Sequence, residues 1–305
     1  MEQNMGNPLL CDIETGLCEV HNTIDTNHDI HVEQDIKALK VIYYTDPICS
    51  SCWGIEPQLR KLKLEYGEAL DIEYRMGGLL PDWSYNSGGI SKPSDVAHHW
   101  DEVSVYYDMP IDGDVWLEDP LSSSYPPSIA FKAAQLQDSH KALLFLREIR
   151  EMVFLQKKNI TKWAHINIAA GKAGLDTLKL KADYEGSAKD LFATDLELAR
   201  ELGVRGFPTM FFADSSGKRE IVYGSKPYSV YEAAIVKLHP QVIKHTYNTD
   251  WRSLFMLYPT LTSREYAEIS GTPRNEADIF LQKLCYEDWL EKLETKNGIL
   301  WKLKK

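Results

Sequence analysis

Asp46-Pro47-Ile48-Cys49-Ser50-Ser51-Cys52-Trp53-Gly54 decides how this chain is read, because it sets a C-x-x-C pair where a strand gives way to a helix. Upstream, Leu39-Lys40-Val41-Ile42-Tyr43-Tyr44-Thr45 is rich in β-branched and aromatic residues and stops at Asp46-Pro47, which predicts a buried strand. Downstream, Ile55, Leu59, Leu62 and Tyr66 recur at three- and four-residue steps, predicting an amphipathic helix over 51–66, interrupted by Pro57 and stopped at Gly67. A second strand is expected over 70–76, closing on Gly77-Gly78. This β-α-β start assigns the chain to the α/β class.

A C-x-x-C pair at a helix start puts two sulfurs within disulfide reach and points the first at backbone N–H groups and the positive end of the helix dipole. A free thiol titrates near ~8.5 and C-x-x-C sites from roughly 3.5 to 7.5, so the expectation is a Cys49 thiolate that attacks a partner disulfide. Cys52, one turn deeper, then displaces the partner. Ser50-Ser51 between them offers neither a histidine nor a proline, which suggests an intermediate potential. The competing reading is half a zinc site completed by Cys11 and Cys18. Against it stand the strand-to-helix position of one pair and the six-residue gap in the other.

Beyond Gly78, residues 82–125 scatter Gly, Pro and Trp and read as irregular, an insertion capping the site, while 128–136, 141–154, 162–171 and 188–202 have helical apolar spacing. Trp53, Trp83, Trp100, Tyr106 and Trp116 either line a groove between insertion and site or fill core, the commoner fate of aromatics. The chain returns through Gly203-Val204-Arg205-Gly206-Phe207-Pro208 to a strand over 209–213, a turn at 214–217, a strand over 220–223 and a helix over 229–238. The tail predicts helices over 263–270 and from Arg274 to about Glu294, with a short strand over 299–303. Cys285, beside Leu281 and Leu284, reads as core.

The segment around Cys49 and Cys52 resembles the DsbA-like branch of the thioredoxin superfamily, and its FrnE-type members in particular. Ser124-Tyr125-Pro126-Pro127-Ser128 and Leu198-Ala199-Arg200-Glu201-Leu202-Gly203-Val204-Arg205-Gly206-Phe207-Pro208-Thr209 are similar to that family's insertion and cis-proline segments. The resemblance covers about 40–238 and implies a thioredoxin-like fold with a helical insertion at about 82–202. It also implies a cis Phe207–Pro208 bond whose exposed backbone pairs with an extended substrate, and a substrate-contacting role for Phe207, Thr209 and Trp53. Pro57 matches the proline of the thioredoxin active-site helix. The arm over 1–36 and the extension over 239–305, helical and winged-helix-like in pattern, lie outside the common fold.

The arm has eight acids and no Lys or Arg, and is expected to be mobile. Its Cys11 and Cys18 are a candidate second redox pair, and with His21, His28 and His31 a candidate soft-metal trap. A net charge of -11 argues against nucleic acid or an anionic membrane as partner. From 261 to 305 eight basic residues balance eight acids, so the extension suits protein docking better than DNA reading. With no apolar run of spanning length and no leader-like start, the expected location is the cytoplasm, where five cysteines serve chemistry rather than a disulfide scaffold. No motif asks for a cofactor, and the dithiol site is expected to hold no metal. The leading expectation is a thiol/disulfide oxidoreductase or isomerase acting on disulfide-bearing proteins or small thiols. The alternatives are an adaptor resembling the YjbH-type proteins, which present a client to a protease, and a glutathione-linked transferase or small-molecule isomerase, disfavoured by the intact C-x-x-C.

Overall fold

The computed structural model places the backbone of residues 11–12 and 17–19 and describes residues 37–84 and 91–304. The remainder of the acidic arm, with His21, His28 and His31, lies outside the described residues. Two short strands come first, β1 (Cys11–Asp12) and β2 (Leu17–Glu19). The unit β3 (Leu39–Thr45), α1 (Ser50–Gly54), α2 (Glu56–Tyr66) and β4 (Leu70–Met76) follows. Six of the seven β3 residues are buried, as a strand covered on both faces requires. The expected single helix is two: the turn breaks at Ile55, and Pro57 sits in the first turn of α2, where its missing N–H costs no helical bond.

The insertion contributes α3 (Pro93–Tyr107), α4 (Val115–Glu118), α5 (Tyr125–Gln137), α6 (Ser139–Leu155), α7 (Trp163–Lys172), α8 (Thr177–Glu185) and α9 (Ala188–Glu201). Residues 82–125 are therefore not irregular throughout: Val96, Trp100, Val103 and Tyr107 of α3 form a buried stripe at helical spacing. The chain then returns to the sheet through β5 (Gly206–Phe207), β6 (Thr209–Asp214) and β7 (Arg219–Tyr223), and α10 (Tyr228–Leu238) closes this part.

The central sheet has the order β4-β3-β6-β7, with β3 parallel to β4 and the other pairs antiparallel. A second small sheet runs β1-β2-β5, so the strand leading into Pro208 is paired by the N-terminal segment.

Past 238 the chain forms α11 (Trp251–Leu257), β8 (Thr260–Thr262), α12 (Ser263–Ser270), α13 (Arg274–Tyr286), β9 (Leu290–Thr295) and β10 (Gly298–Leu303). The helix expected to reach Glu294 ends at Tyr286, because Asp288 turns to φ 67 and the chain reverses into the β9–β10 pair. This winged-helix order of elements encloses its own core around Leu254, Phe255, Leu261, Ile269, Leu281 and Trp301. It docks on α2 and α6 through Glu265, which accepts from Arg147 at 2.7 and 3.0 Å and pairs with Arg60 at 3.1 Å.

Candidate functional site

Cys49 caps the N-terminus of α1, and its Sγ accepts from the Cys52 N–H at 3.1 Å. The two sulfurs are not bridged to one another, and both residues are wholly buried. Asp46 holds the loop from below: Oδ1 accepts from the Ile48 N–H at 3.0 Å, and Oδ2 from the Leu79 N–H at 2.8 Å and the Ser124 hydroxyl at 2.9 Å. One carboxylate thereby ties the dithiol loop to the segment after β4 and to the start of α5. The Asp-Pro step ahead of the cysteines carried this signal, and sequence reasoning read it only as the end of a strand.

Arg150, buried on α6, donates to Glu56 at 2.6 Å, to the Thr45 hydroxyl at 2.6 Å and to the Asp46 carbonyl at 3.3 Å. Nothing in its own sequence neighbourhood set it apart from other helical cations. Its charge is one of the influences that favour the Cys52 anion. Burial pushes the Cys49 thiol up, and the adjoining Cys52 adds to this, outweighing the backbone N–H that favours its anion. Burial also opposes the Cys52 anion, but a hydrogen bond from Cys49, the charge of Arg150 and the Thr45 hydroxyl bring it below its usual range. Burial thus works against the Cys49 thiolate that the motif alone leads one to expect, while the donors around Cys52 favour its anion.

The insertion packs directly on the loop through α3. Tyr107 of α3 donates to the Ser51 hydroxyl at 2.9 Å, and a Cβ at Gly54 would lie 2.4 Å from the Tyr107 ring. The substrate-contacting role expected of Trp53 is corrected. Its indole is fully buried, donates to the Pro110 carbonyl at 3.0 Å, stacks on Phe154 at 5.5 Å and is capped by the Arg147 guanidinium at 4.4 Å. Trp100 and Trp116 are core too, whereas Tyr106 is exposed.

The Phe207–Pro208 bond is cis. Phe207 and Thr209 are buried: the phenyl ring occupies the space a Cβ on Gly77 would need, and the Thr209 hydroxyl donates to the Gly206 carbonyl at 2.7 Å. What these residues offer a partner is therefore main chain, and β2 already lies along it, with Cys18 opposite Phe207. Among the described residues no group of three or more His, Cys, Asp or Glu is arranged to hold a metal, and no helix is long and apolar enough to cross a membrane.

A family profile described as thioredoxin matches residues 43–233, spanning the sheet, the dithiol loop and the helical insertion. The chain belongs to the thioredoxin family. Its fold is DsbA-like: a putative protein disulfide isomerase from Nitrosomonas europaea superposes with a TM-score of 0.58 at 19% identity, covering 67% of this chain and 98% of that one. Among relatives in sequence, the ClpXP adapter protein SpxH of Halalkalibacterium halodurans is 34% identical over 299 residues, 96% of either chain. The ClpXP adapter protein SpxH of Bacillus subtilis is 30% identical over 271 residues, 87% of this chain and 89% of its own.

Proposed function

We propose that this chain is an adapter that brings a client protein to a ClpXP-type protease. One observation carries the reading: the match to the Halalkalibacterium halodurans adapter takes in 96% of both chains, so it runs through the C-terminal module as well as the thioredoxin part. An exchange enzyme needs only the latter. The module supports the reading physically, because it leaves Met256, Ile279, Tyr286 and Trp289 open to solvent, and apolar residues presented this way suit protein docking. This work belongs in the cytoplasm, in keeping with the acidic, cysteine-poor composition.

The test measures protein half-lives in the native host with and without the chain. At least one short-lived protein is expected to persist when the chain is removed, to persist likewise without ClpX, and to be degraded by purified ClpXP only when the chain is added back. Cys49→Ser/Cys52→Ser is expected to deliver that client as well as the unaltered chain. Unchanged half-lives, or degradation by ClpXP alone at the same rate, would overturn the reading.

A second reading, dithiol exchange at Cys49 and Cys52 with a protein or low-molecular-weight disulfide, draws on the N-cap position of Cys49 and on Arg150 beside Cys52. Thiol trapping across a glutathione redox series tests it. A reversible two-electron transition of the pair supports exchange, and its absence removes it.

A further inference from the structure

The strand lying along β5 comes from the same chain. Cys18 stands opposite Phe207, Glu19 opposite Gly206, and one strand further out Cys11 stands opposite Cys18. The backbone of β2 also approaches α1, whose N-cap is Cys49, to within 8 Å between Cα atoms. The topology therefore places the cysteine-bearing strands of the arm beside the helix that begins at the dithiol. Directly opposed residues on antiparallel strands have Cα atoms about 4.5–5.5 Å apart, inside the roughly 4.4–6.8 Å that a disulfide spans.

The burial of Cys49 points to the same partner. Attack on a disulfide in another molecule needs access to the attacking sulfur, and Cys49 has no exposed surface. A buried nucleophile exchanges with what already lies against it, and the cysteine-bearing segment there is β2. Pairing with β5 holds that segment as it would a bound peptide strand, so exchange between its cysteines and the dithiol is intramolecular and proceeds at high effective concentration.

We propose that Cys11 and Cys18 are the internal redox partner of Cys49 and Cys52, accepting two electrons from them while β2 lies along β5. This rests on the dithiol reading above. A low-molecular-weight disulfide first oxidises the arm: glutathione disulfide takes two electrons from Cys11 and Cys18, which become a disulfide, and leaves as two glutathione thiols. Cys49 then gives its proton to the Cys52 thiolate and attacks Cys18, forming the Cys49–Cys18 bond, breaking Cys11–Cys18 and releasing Cys11 as a thiolate. Cys52 passes that proton to Cys11 and attacks Cys49, and Cys18 departs as a thiolate. One proton and one negative charge are present before and after, and the disulfide has moved from the arm to the buried pair. The arm thus carries an oxidising signal to a site that the oxidant itself does not enter.

The experiment uses the full chain with Cys52→Ser to arrest the exchange and Cys285→Ser to remove the remaining thiol. After glutathione disulfide treatment, thiol blocking and non-reducing digestion, mass spectrometry is expected to find a Cys18–Cys49 link with Cys11 blocked as a thiol, and no such link in Cys18→Ser. Cys49 joined to glutathione with no link to the arm overturns the relay and leaves dithiol exchange standing. A Cys49 that reacts with neither, at a pH high enough to ionise it without Cys52 as proton acceptor, overturns both. A second measurement keeps all four cysteines and follows Cys49–Cys52 disulfide formation. Cys11→Ser/Cys18→Ser is expected to slow it by about tenfold or more, as loss of an intramolecular partner requires, and equal rates overturn the proposal.

Discussion

Asp46, beneath the dithiol loop, and Glu265, where the C-terminal module meets the thioredoxin core, are both withdrawn from water, yet one carboxyl ends above its usual range and the other below. At Asp46 burial dominates: two backbone N–H groups, the Ser124 hydroxyl and the more remote Arg150 oppose it incompletely, and the carboxyl rises from 3.8 to about 6. At Glu265 burial is again the largest influence, but Arg147 and Arg60 supply formal positive charge against the carboxylate and reverse the outcome. The difference teaches that neutral donors position a buried anion without fully compensating its desolvation, whereas paired guanidinium groups do both. It also divides the labour of α6. Arg147 faces the module, and Arg150, three residues along, faces the sulfurs.

The largest effect is expected from breaking the charged member of this comparison. Glu265→Ala leaves Arg147 and Arg60 buried without their shared partner, at a cost of about 3–5 kcal/mol. Urea denaturation is the measurement, with early loss of the module's Trp251 and Trp301 environment and failure of client delivery. A cost under about 1 kcal/mol would mean that the module is held by its apolar contacts alone. Next comes the pH response. Because the folded Asp46 carboxyl titrates above the unfolded one, its contribution is fully present below about 4 and is lost as pH rises through about 6. At ~1.36 kcal/mol per unit, the loss is about 3 kcal/mol. The stability gap between wild type and Asp46→Asn should therefore move against wild type by that amount across the window. A flat gap would show that the loop carboxyl is not desolvated as described. Glu265 runs the other way: its stabilisation is present above the unfolded carboxyl's range and fades on acidification. Mild acid should accordingly loosen the module while favouring the dithiol loop.

The part of the fold governed by local pattern was legible. The two central strands fall on the residues their β-branched and aromatic run marks, and the cysteines lie at the helix start that the motif implies. The insertion was harder, because the stripe of Val96, Trp100, Val103 and Tyr107 follows a stretch full of Gly and Pro that masks where α3 begins. The strand expected over 299–303 is β10, but β9 was misread for the opposite reason: Leu290 and Leu293 extend the helical spacing of α13, and only the reversal at Asp288 decides against it. The influence of Arg150 on Cys52 was not legible, since it comes from a helix about a hundred residues away in sequence. The same holds for the strand along β5, whose register depends on tertiary pairing.

Trp53 links the two halves of the comparison, because its ring lies beneath Arg147 while its neighbour Cys52 lies by Arg150. Beside the cysteines and aromatic, it has the sequence character of a substrate-binding residue, but its indole N–H is spent on the Pro110 carbonyl and its face on Phe154. Trp53→Phe keeps an aromatic face for Arg147 and Phe154 and removes one buried donor, so the expected cost is about 1 kcal/mol, with client delivery and the redox transition unchanged. If that substitution instead weakened binding of a client or a disulfide substrate while leaving stability intact, the ring would have to turn outward in the working state. The closed arrangement of loop, α3 and α6 would then be a resting form rather than the functional one.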